Sequence, residues 1–185
     1  MYTVHVTGTR WLNAEEGETW RSFMAACQGF FAAIDAQLQR DSQMPLAYYE
    51  ILVRLEAAPG RTMRMTQLAE AAASSKSRIS HAVARLEERG WVRRMDCPTD
   101  RRGQNAVLTD DGFAALAEAA PGHVEQVRRS LFDTLSPAQV KHLRAIAEAM
   151  ISAADPAAMA GASCPPCPDD DELATDDLTP AQAHG

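Results

Sequence analysis

The sequence predicts a mainly α-helical fold that carries one small β-hairpin near its middle. Two observations predict the helices: apolar residues recur at helical spacing on both sides of the centre, and capping residues begin several of these segments. A third observation predicts the hairpin, because two short alternating segments at 91–95 and 104–108 flank the charged stretch CPTDRRG. We therefore expect helices at both ends of the chain, with a helix pair and a hairpin between them.

The N-terminal helix begins with a capping signature and carries an unusually wide apolar stripe. Asn13 is followed three residues later by Glu16, which is the spacing of a capping box, and the helical pattern continues to about Arg40. The stripe consists of Trp20, Phe23, Met24, Cys27, Phe30, Phe31, Ile34 and Leu38. It is broader than one surface helix needs, so we expect burial on two sides, including against a second copy of the chain.

The centre of the chain has the pattern of a helix-turn-helix. A short helix around Leu68 is followed by a serine-rich turn and a second helix that ends at Gly90. In that second helix Ile79, Val83 and Leu86 share one face, and the other side is mostly small or hydrogen-bonding. A helix that lies in the major groove of DNA needs such a face, and the hairpin that follows forms a wing. Residues 43–109 are thus predicted to form a winged helix-turn-helix.

The segments on either side of this unit are predicted to hold two copies of the chain together. Thr109 begins a long helix, and Ser136 with Gln139 gives the capping signature of the last one. The helices at 15–42 and 110–154 carry more apolar surface than the small central unit can cover, which favours a symmetric dimer. Residues 1–14 form an N-terminal extension. Residues 155–185 are rich in acidic residues, Ala and Pro, and are expected to be a disordered acidic tail.

The charge distribution predicts double-stranded DNA as a partner, although the chain as a whole has a net charge of −7. Residues 61–105 contain ten basic and five acidic residues, which gives this region a charge of +5. The rest of the chain has a charge of −12. A phosphate backbone meets the local patch rather than the average of the chain, so the basic region is the candidate contact surface.

The cysteines and the hydropathy pattern limit the other classes of function. Cys164 and Cys167 form a C-x-x-C pair, but they stand in the acidic tail and one pair supplies only two zinc ligands. We expect that the protein binds no metal or cofactor and is not an enzyme. The alternative is a thiol-disulfide enzyme that uses this pair. The sequence contains no apolar run of membrane-spanning length and does not start like a signal peptide, so a cytoplasmic location is expected.

Three motifs in a fixed order give a family resemblance. They are LEERGWVRR from Leu86, DRRG from Asp100 and VLTDDG from Val107. In this order and spacing they resemble the MarR family of bacterial transcriptional regulators, over roughly residues 15–150. The resemblance implies a dimeric repressor that binds a pseudo-palindromic operator and is released by a small aromatic or phenolic anion.

The resemblance also implies which residues contact DNA. The set is Ser75, Lys76, Ser77, Arg78, Ser80, His81, Arg85, Arg101 and Arg102. Ser77, Ser80 and His81 match the positions that face bases, whereas Arg78 and Arg85 lie near phosphates. In the wing, Asp100 is expected to pair with one of Arg101 and Arg102 while the other reaches the minor groove. The sequence leaves open which arginine does which.

The signal that releases DNA has two candidate sites. Trp20, Phe23, Tyr48 and Tyr49 are candidates for a ligand pocket, although aromatic residues at helical spacing also suit a core. The alternative is a redox-sensing regulator that acts through a cysteine. Cys27 has apolar neighbours, which favour a role in the core, and Cys97 next to the wing is the more exposed candidate.

Overall fold

The computed structural model describes residues 8–97 and 100–153, with the backbone alone at 100–102. The helices in this described part are α1 (Ala14–Ser42), α2 (Leu46–Glu56), α3 (Met65–Ala71), α4 (Lys76–Glu88), α5 (Asp110–Ser130) and α6 (Pro137–Ala153). The strands are β1 (Thr62–Arg64), β2 (Val92–Cys97) and β3 (Asp100–Leu108), and short 3-10 turns lie at Pro59–Arg61 and Phe132–Thr134. Helices α1, α3, α4, α5 and α6 and the β2–β3 hairpin follow the predicted order.

Helix α1 begins where its capping signature predicts. The Asn13 side chain accepts a hydrogen bond from the Glu16 amide, and the Glu16 carboxylate accepts one from the Asn13 amide, both at 2.8 Å. This reciprocal pair satisfies two amide groups that a helix start leaves open. Along the helix only Ile34, Gln37 and Leu38 are buried. The N-terminal half of α1 therefore extends away from the core.

The hydrophobic core lies among the end of α1, the helices α2 to α4, the sheet and the start of α5. Leu38, Leu52, Leu68 and Leu86 come from four different helices, and none of them has any exposed surface. Burial of a leucine side chain contributes roughly 1.5–3 kcal/mol relative to exposure. These contacts join the helix pair and the sheet into one unit.

The three strands form an antiparallel sheet in the order β1-β3-β2. We call the β2–β3 hairpin, residues 92–108, the wing. Its second strand is longer than predicted, since it begins at Asp100, which pairs with Cys97 across a register irregularity after Asp96. The polar residues at 100–105 show no apolar alternation, so the sequence pattern missed this part of the strand.

The start of α5 is tied to the end of α4. The Thr109 hydroxyl donates a hydrogen bond to the Gly90 carbonyl at 2.7 Å and accepts one from the Gly112 amide at 3.0 Å. Gly90 has a φ of +75°, the left-handed conformation that commonly follows the end of a helix and that glycine adopts freely. From this point α5 runs through Pro121 as a single helix.

Helix α6 receives little cover from its own chain within the described residues. It begins with the predicted cap, in which the Ser136 amide donates a hydrogen bond to the Gln139 side chain at 2.9 Å. No residue of α6 is buried. Its exposed apolar side chains are those of Leu143, Ile146, Met150 and Ile151. An apolar helix face of this kind is typical of a surface that packs against a partner.

Candidate nucleic-acid interface

Helix α4 has one buried face and one exposed polar face. Ile79, Val83 and Leu86 are buried in the core and fix the rotation of the helix about its axis. At its start the Ser75 hydroxyl accepts a hydrogen bond from the Arg78 amide at 3.3 Å. Ser75 is therefore the N-cap of α4 and determines where the helix begins.

The structure places all seven predicted DNA-contact residues of this region on the surface. The exposed set is Ser75, Lys76, Ser77, Arg78, Ser80, His81 and Arg85. They fall within three helical turns and lie on the sides of α4 that the core does not occupy. Because their hydrogen-bonding groups are exposed, this side of the helix can meet base edges and phosphates without rearrangement of the core.

The Arg85 guanidinium forms an ion pair on the surface of α4. Its Nη1 atom lies 2.7 Å from the Glu88 carboxylate, one helical turn away. The hydrogen bond to Glu88, and then the charge of that carboxylate, raise the pKa of the Arg85 guanidinium above its usual value. A phosphate at this position would compete with Glu88 for the same donors.

Arg94 of strand β2 joins the wing to α4 and was not among the predicted site residues. Its Nη2 atom donates a hydrogen bond to the main-chain carbonyl of Ser80 at 2.7 Å. Its Nε atom lies 3.2 Å from the Glu87 carboxylate in an ion pair that lacks the alignment of a hydrogen bond. The alternation of strand β2 places Arg94 on the α4 side of the sheet and Arg93 on the opposite side. That alternation, together with the motif LEERGWVRR that ends at Arg94, is the sequence signal that could have pointed to this residue.

The wing tip carries the remaining predicted contacts. The backbone at Asp100, Arg101 and Arg102 belongs to strand β3, and their side chains lie outside what the structure describes. The pairing of Asp100 with a neighbouring arginine, and the reach of the other arginine into the minor groove, therefore stay predictions.

Cys97 and Cys27 differ in their surroundings. Cys97 is buried at the end of β2, where the Nη2 atom of Arg64 donates a hydrogen bond to its sulfur at an N–S distance of 3.1 Å. Cys27 is half-buried on α1. The prediction that Cys97 is the more exposed of the two is wrong, because Cys97 is buried with the Arg64 guanidinium against its sulfur, whereas Cys27 is only half-buried. Cys164 and Cys167 lie outside the described residues.

The four predicted ligand-pocket residues do not meet within one chain. Tyr49 is buried and its ring stacks on that of His123, with 4.4 Å between ring centroids. Trp20 and Phe23 are exposed and adjacent on α1. Fifteen residues of helix separate Trp20 from Asp35, which contacts the start of α2, so Trp20 lies about 22 Å along the axis of α1 from that contact. Tyr48 is half-buried beside Tyr49, with the Arg89 guanidinium 5.8 Å from its ring centroid.

Comparison with known proteins connects this arrangement to a family. A family model described as MarR family matches residues 42–103. The MarR family transcriptional regulator Sco3205 from Streptomyces coelicolor, solved in complex with DNA, is 51% identical in sequence. The similarity covers 80% of this chain and 93% of Sco3205, with a TM-score of 0.75. The chain belongs to the MarR family.

Two further relatives of this MarR-family chain match over shorter stretches. The HTH-type transcriptional regulator PecS from Dickeya dadantii is 37% identical over 81 residues, which are 44% of this chain and 48% of PecS. The transcriptional repressor MprA from Escherichia coli is 28% identical over 104 residues, which are 56% of this chain and 58% of MprA. The chain thus spans about half the length of these relatives.

These findings confirm the predicted fold class and family. The mainly α-helical winged helix-turn-helix is that of MarR-family regulators, and the relatives are transcriptional regulators rather than enzymes. Among the helices of the described residues, none combines the length and apolar character that crossing a membrane requires.

Proposed function

We propose that this MarR-family protein is a homodimeric repressor that binds a pseudo-palindromic DNA operator and releases it when a small aromatic or phenolic anion binds. The observation that carries the proposal is the exposed polar side of α4, which lies opposite three buried apolar residues and presents Ser75, Lys76, Ser77, Arg78, Ser80, His81 and Arg85. In a winged helix-turn-helix this helix enters the major groove, and its N-terminal residues contact base edges.

The proposal assigns a task to each part of the chain. Residues 43–109 bind DNA, and the helices at 15–42 and 110–154 form the dimer. The uncovered apolar side chains of α6 and of the N-terminal half of α1 support this division, since a second copy would cover both. The complex of Sco3205 with DNA and the description of MprA as a repressor support the operator and the direction of control.

The proposal is tested by selection of bound duplexes from a random DNA pool, followed by titration of the selected sequence. We expect enrichment of a palindrome and an affinity that falls steeply as salt is raised, because phosphate contacts release counterions. No enrichment of any duplex at low salt would contradict the proposal.

The wing is tested separately by the double variant Arg101→Ala with Arg102→Ala. We expect operator affinity to fall at least about tenfold, since an arginine in the minor groove meets an enhanced negative potential. The matched control replaces Arg128 and Arg129 of α5, which are exposed and pair with Asp133 and Glu125. Because α5 belongs to the proposed dimer region, sedimentation velocity checks that this variant remains dimeric. An equal loss in both double variants would mean that only net charge matters.

The proposed effector is tested by repetition of the titration with candidate aromatic acids. Exposed Trp20 and Phe23 support an aromatic site that is completed by the second copy of the chain, whereas Tyr49 serves the core within one chain. A ligand that binds the free dimer about thirtyfold better than the operator complex supplies roughly 2 kcal/mol of coupling.

A second candidate signal is oxidation at Cys97. The Arg64 guanidinium donates a hydrogen bond to the Cys97 sulfur at an N–S distance of 3.1 Å, and a neighbouring cation is typical of the surroundings of redox-active cysteines. Hydrogen peroxide would then weaken operator binding by the unmodified protein, while Cys97→Ser would be insensitive. Cys27→Ser is the control and should respond like the unmodified protein.

A further inference from the structure

We propose that Arg94, held by Glu87, is a positioning residue that sets the depth and angle at which α4 reads DNA, so that this pair controls sequence discrimination rather than general affinity. The inference rests on the proposed DNA-binding function. It adds residues that do not belong to the predicted contact set.

Glu87 engages both the main chain and the side chain of Arg94. One carboxylate oxygen of Glu87 accepts a hydrogen bond from the Arg94 amide at 2.9 Å, and the other lies 3.2 Å from Arg94 Nε. Strand β2 is at the edge of the sheet, so an amide on its outer side has no neighbouring strand to bond. Glu87 supplies that missing acceptor from α4. The two elements are thereby joined at two atoms of one residue.

The guanidinium of Arg94 also bonds to a residue on the exposed polar side of α4. Its Nη2 atom donates to the Ser80 carbonyl at 2.7 Å. Ser80 is exposed and lies among the positions expected to face bases. Arg94 thus fixes the backbone at the residue whose side chain would meet the operator, and it does so from the strand that leads into the wing.

Burial argues that this pair acts inside the protein. The side chains of Arg94 and Glu87 are 25% and 32% exposed, compared with 66% and 61% for the Arg85–Glu88 pair on the same helix. A partly buried, multiply bonded arginine keeps a defined position, whereas exposed ion pairs on a helix contribute little. The Arg94 guanidinium is therefore suited to hold geometry.

Sequence discrimination and general affinity respond differently to the loss of such a residue. Base readout depends on the close placement of side chains against base edges, while phosphate attraction depends mainly on charge. Removal of a positioning residue should lower the ratio of operator affinity to affinity for a scrambled duplex. Removal of a phosphate contact should lower both affinities together. It should also reduce by about one the salt slope, the steepness with which the logarithm of affinity falls against the logarithm of salt concentration.

The experiment compares Arg94→Gln with Arg93→Gln, a matched control that removes the same charge from the neighbouring exposed residue on the opposite side of the sheet. We expect Arg94→Gln to lower the discrimination ratio by about tenfold, the effect of one misplaced base contact. Arg93→Gln should leave that ratio unchanged. Equal ratios in the two variants, or a salt slope that falls only in Arg94→Gln, would overturn the inference.

Glu87→Gln provides a second test that does not depend on the folding of the Arg94 variant. On charge alone, loss of an acidic residue from the basic region should raise affinity for every duplex. The positioning role predicts the opposite for the operator, with affinity for the scrambled duplex unchanged or raised. If Glu87→Gln binds the operator more tightly, the inference is wrong. The unmodified protein tests the proposed function in the same titration, because its failure to prefer the selected operator would count against that function alone.

Discussion

At the scale of single residues, the Arg85–Glu88 pair sets how much positive charge α4 offers to DNA. Glu88 lies 2.7 Å from Arg85 and is exposed, so its carboxylate both neutralises the arginine and repels phosphate. We expect Glu88→Gln to bind operator and scrambled duplexes more tightly by about the same factor, severalfold at low salt. Fluorescence anisotropy at two salt concentrations measures this.

The neighbouring substitution Glu87→Gln is the control for that prediction. It removes the same charge one residue earlier, where the carboxylate holds Arg94. Identical effects of the two substitutions would show that the local contacts of these glutamates are irrelevant to binding.

His123 makes stability depend on pH. Burial lowers the pKa of His123 below its usual value, and its ring stacks on that of buried Tyr49. The unfolded chain therefore takes up a proton at a higher pH than the folded chain. Stability is fully present above the unfolded pKa of about 6.5 and is lost as the pH falls through the lower folded pKa.

This dependence is measured by urea unfolding at fixed protein concentration between pH 7.5 and pH 5. The loss of unfolding free energy towards low pH should be smaller in His123→Gln than in the unmodified protein. His81→Gln is the control, since His81 is exposed on α4. A slope that survives in His123→Gln would place the responsible group elsewhere.

At the scale of elements, the packing of α5 against the start of the wing leaves no room for a side chain at Gly112. A Cβ there would collide with the Trp91 carbonyl oxygen and lie 2.9 Å from Leu108 Cδ1. Because the Trp91 backbone and the Leu108 side chain must shift, we expect Gly112→Ala to destabilise the fold by about 1–3 kcal/mol. Thermal and denaturant unfolding measure this change.

Gly29 gives a contrasting test in another helix. A Cβ there meets no atom within 4 Å, and the residue lies about 140° around α1 from buried Ile34. Gly29→Ala should therefore stabilise the protein by up to about 1 kcal/mol through helix propensity. If Gly29→Ala destabilises the protein as Gly112→Ala does, the expectation that helix propensity determines the effect at Gly29 is wrong.

The elements that the sequence predicts are those whose signals are local. The caps at Asn13 and Ser136 and the glycine at 90 determine helix ends through contacts with residues close by in the chain. Strand β1 could not be predicted, because three residues are too few to show an alternating pattern. It is a strand only because it pairs with β3.

The candidate site divides in the same way. The exposed polar side of α4 follows from helical spacing, so the amino-acid sequence alone is enough to predict that Ser77 and His81 are exposed. The link from Arg94 to Ser80 is not predictable in this way, because it joins residues fourteen positions apart through a strand whose orientation depends on the sheet. Likewise, aromatic character grouped Trp20 with Tyr49, but the length of α1 separates them.

At the scale of the whole molecule, α6 should decide whether two copies associate. Ile146 is 57% exposed on the apolar side of this helix. We expect Ile146→Asp to shift the protein towards the monomer and to weaken operator binding, because a buried unpaired carboxylate is costly at an interface. Sedimentation velocity and DNA titration measure the two effects.

Ser152→Asp is the matched control for that substitution. Ser152 stands on the other side of α6, where its hydroxyl donates to the Glu148 carbonyl, and its replacement adds the same charge. The control should remain dimeric. If both Ile146→Asp and Ser152→Asp are dimeric, α6 is not part of the interface. If both are monomeric, the added charge rather than its position is responsible.

The uncovered side of α6 has a consequence for how the chain reaches its final state. With a second copy as its cover, folding of this helix is completed in a second-order step, so the melting temperature should rise with protein concentration. A diluted chain would keep its central core, which lies within one copy, while its terminal helices loosened first. The amount of the regulator in a cell would then set the fraction that can span both halves of an operator.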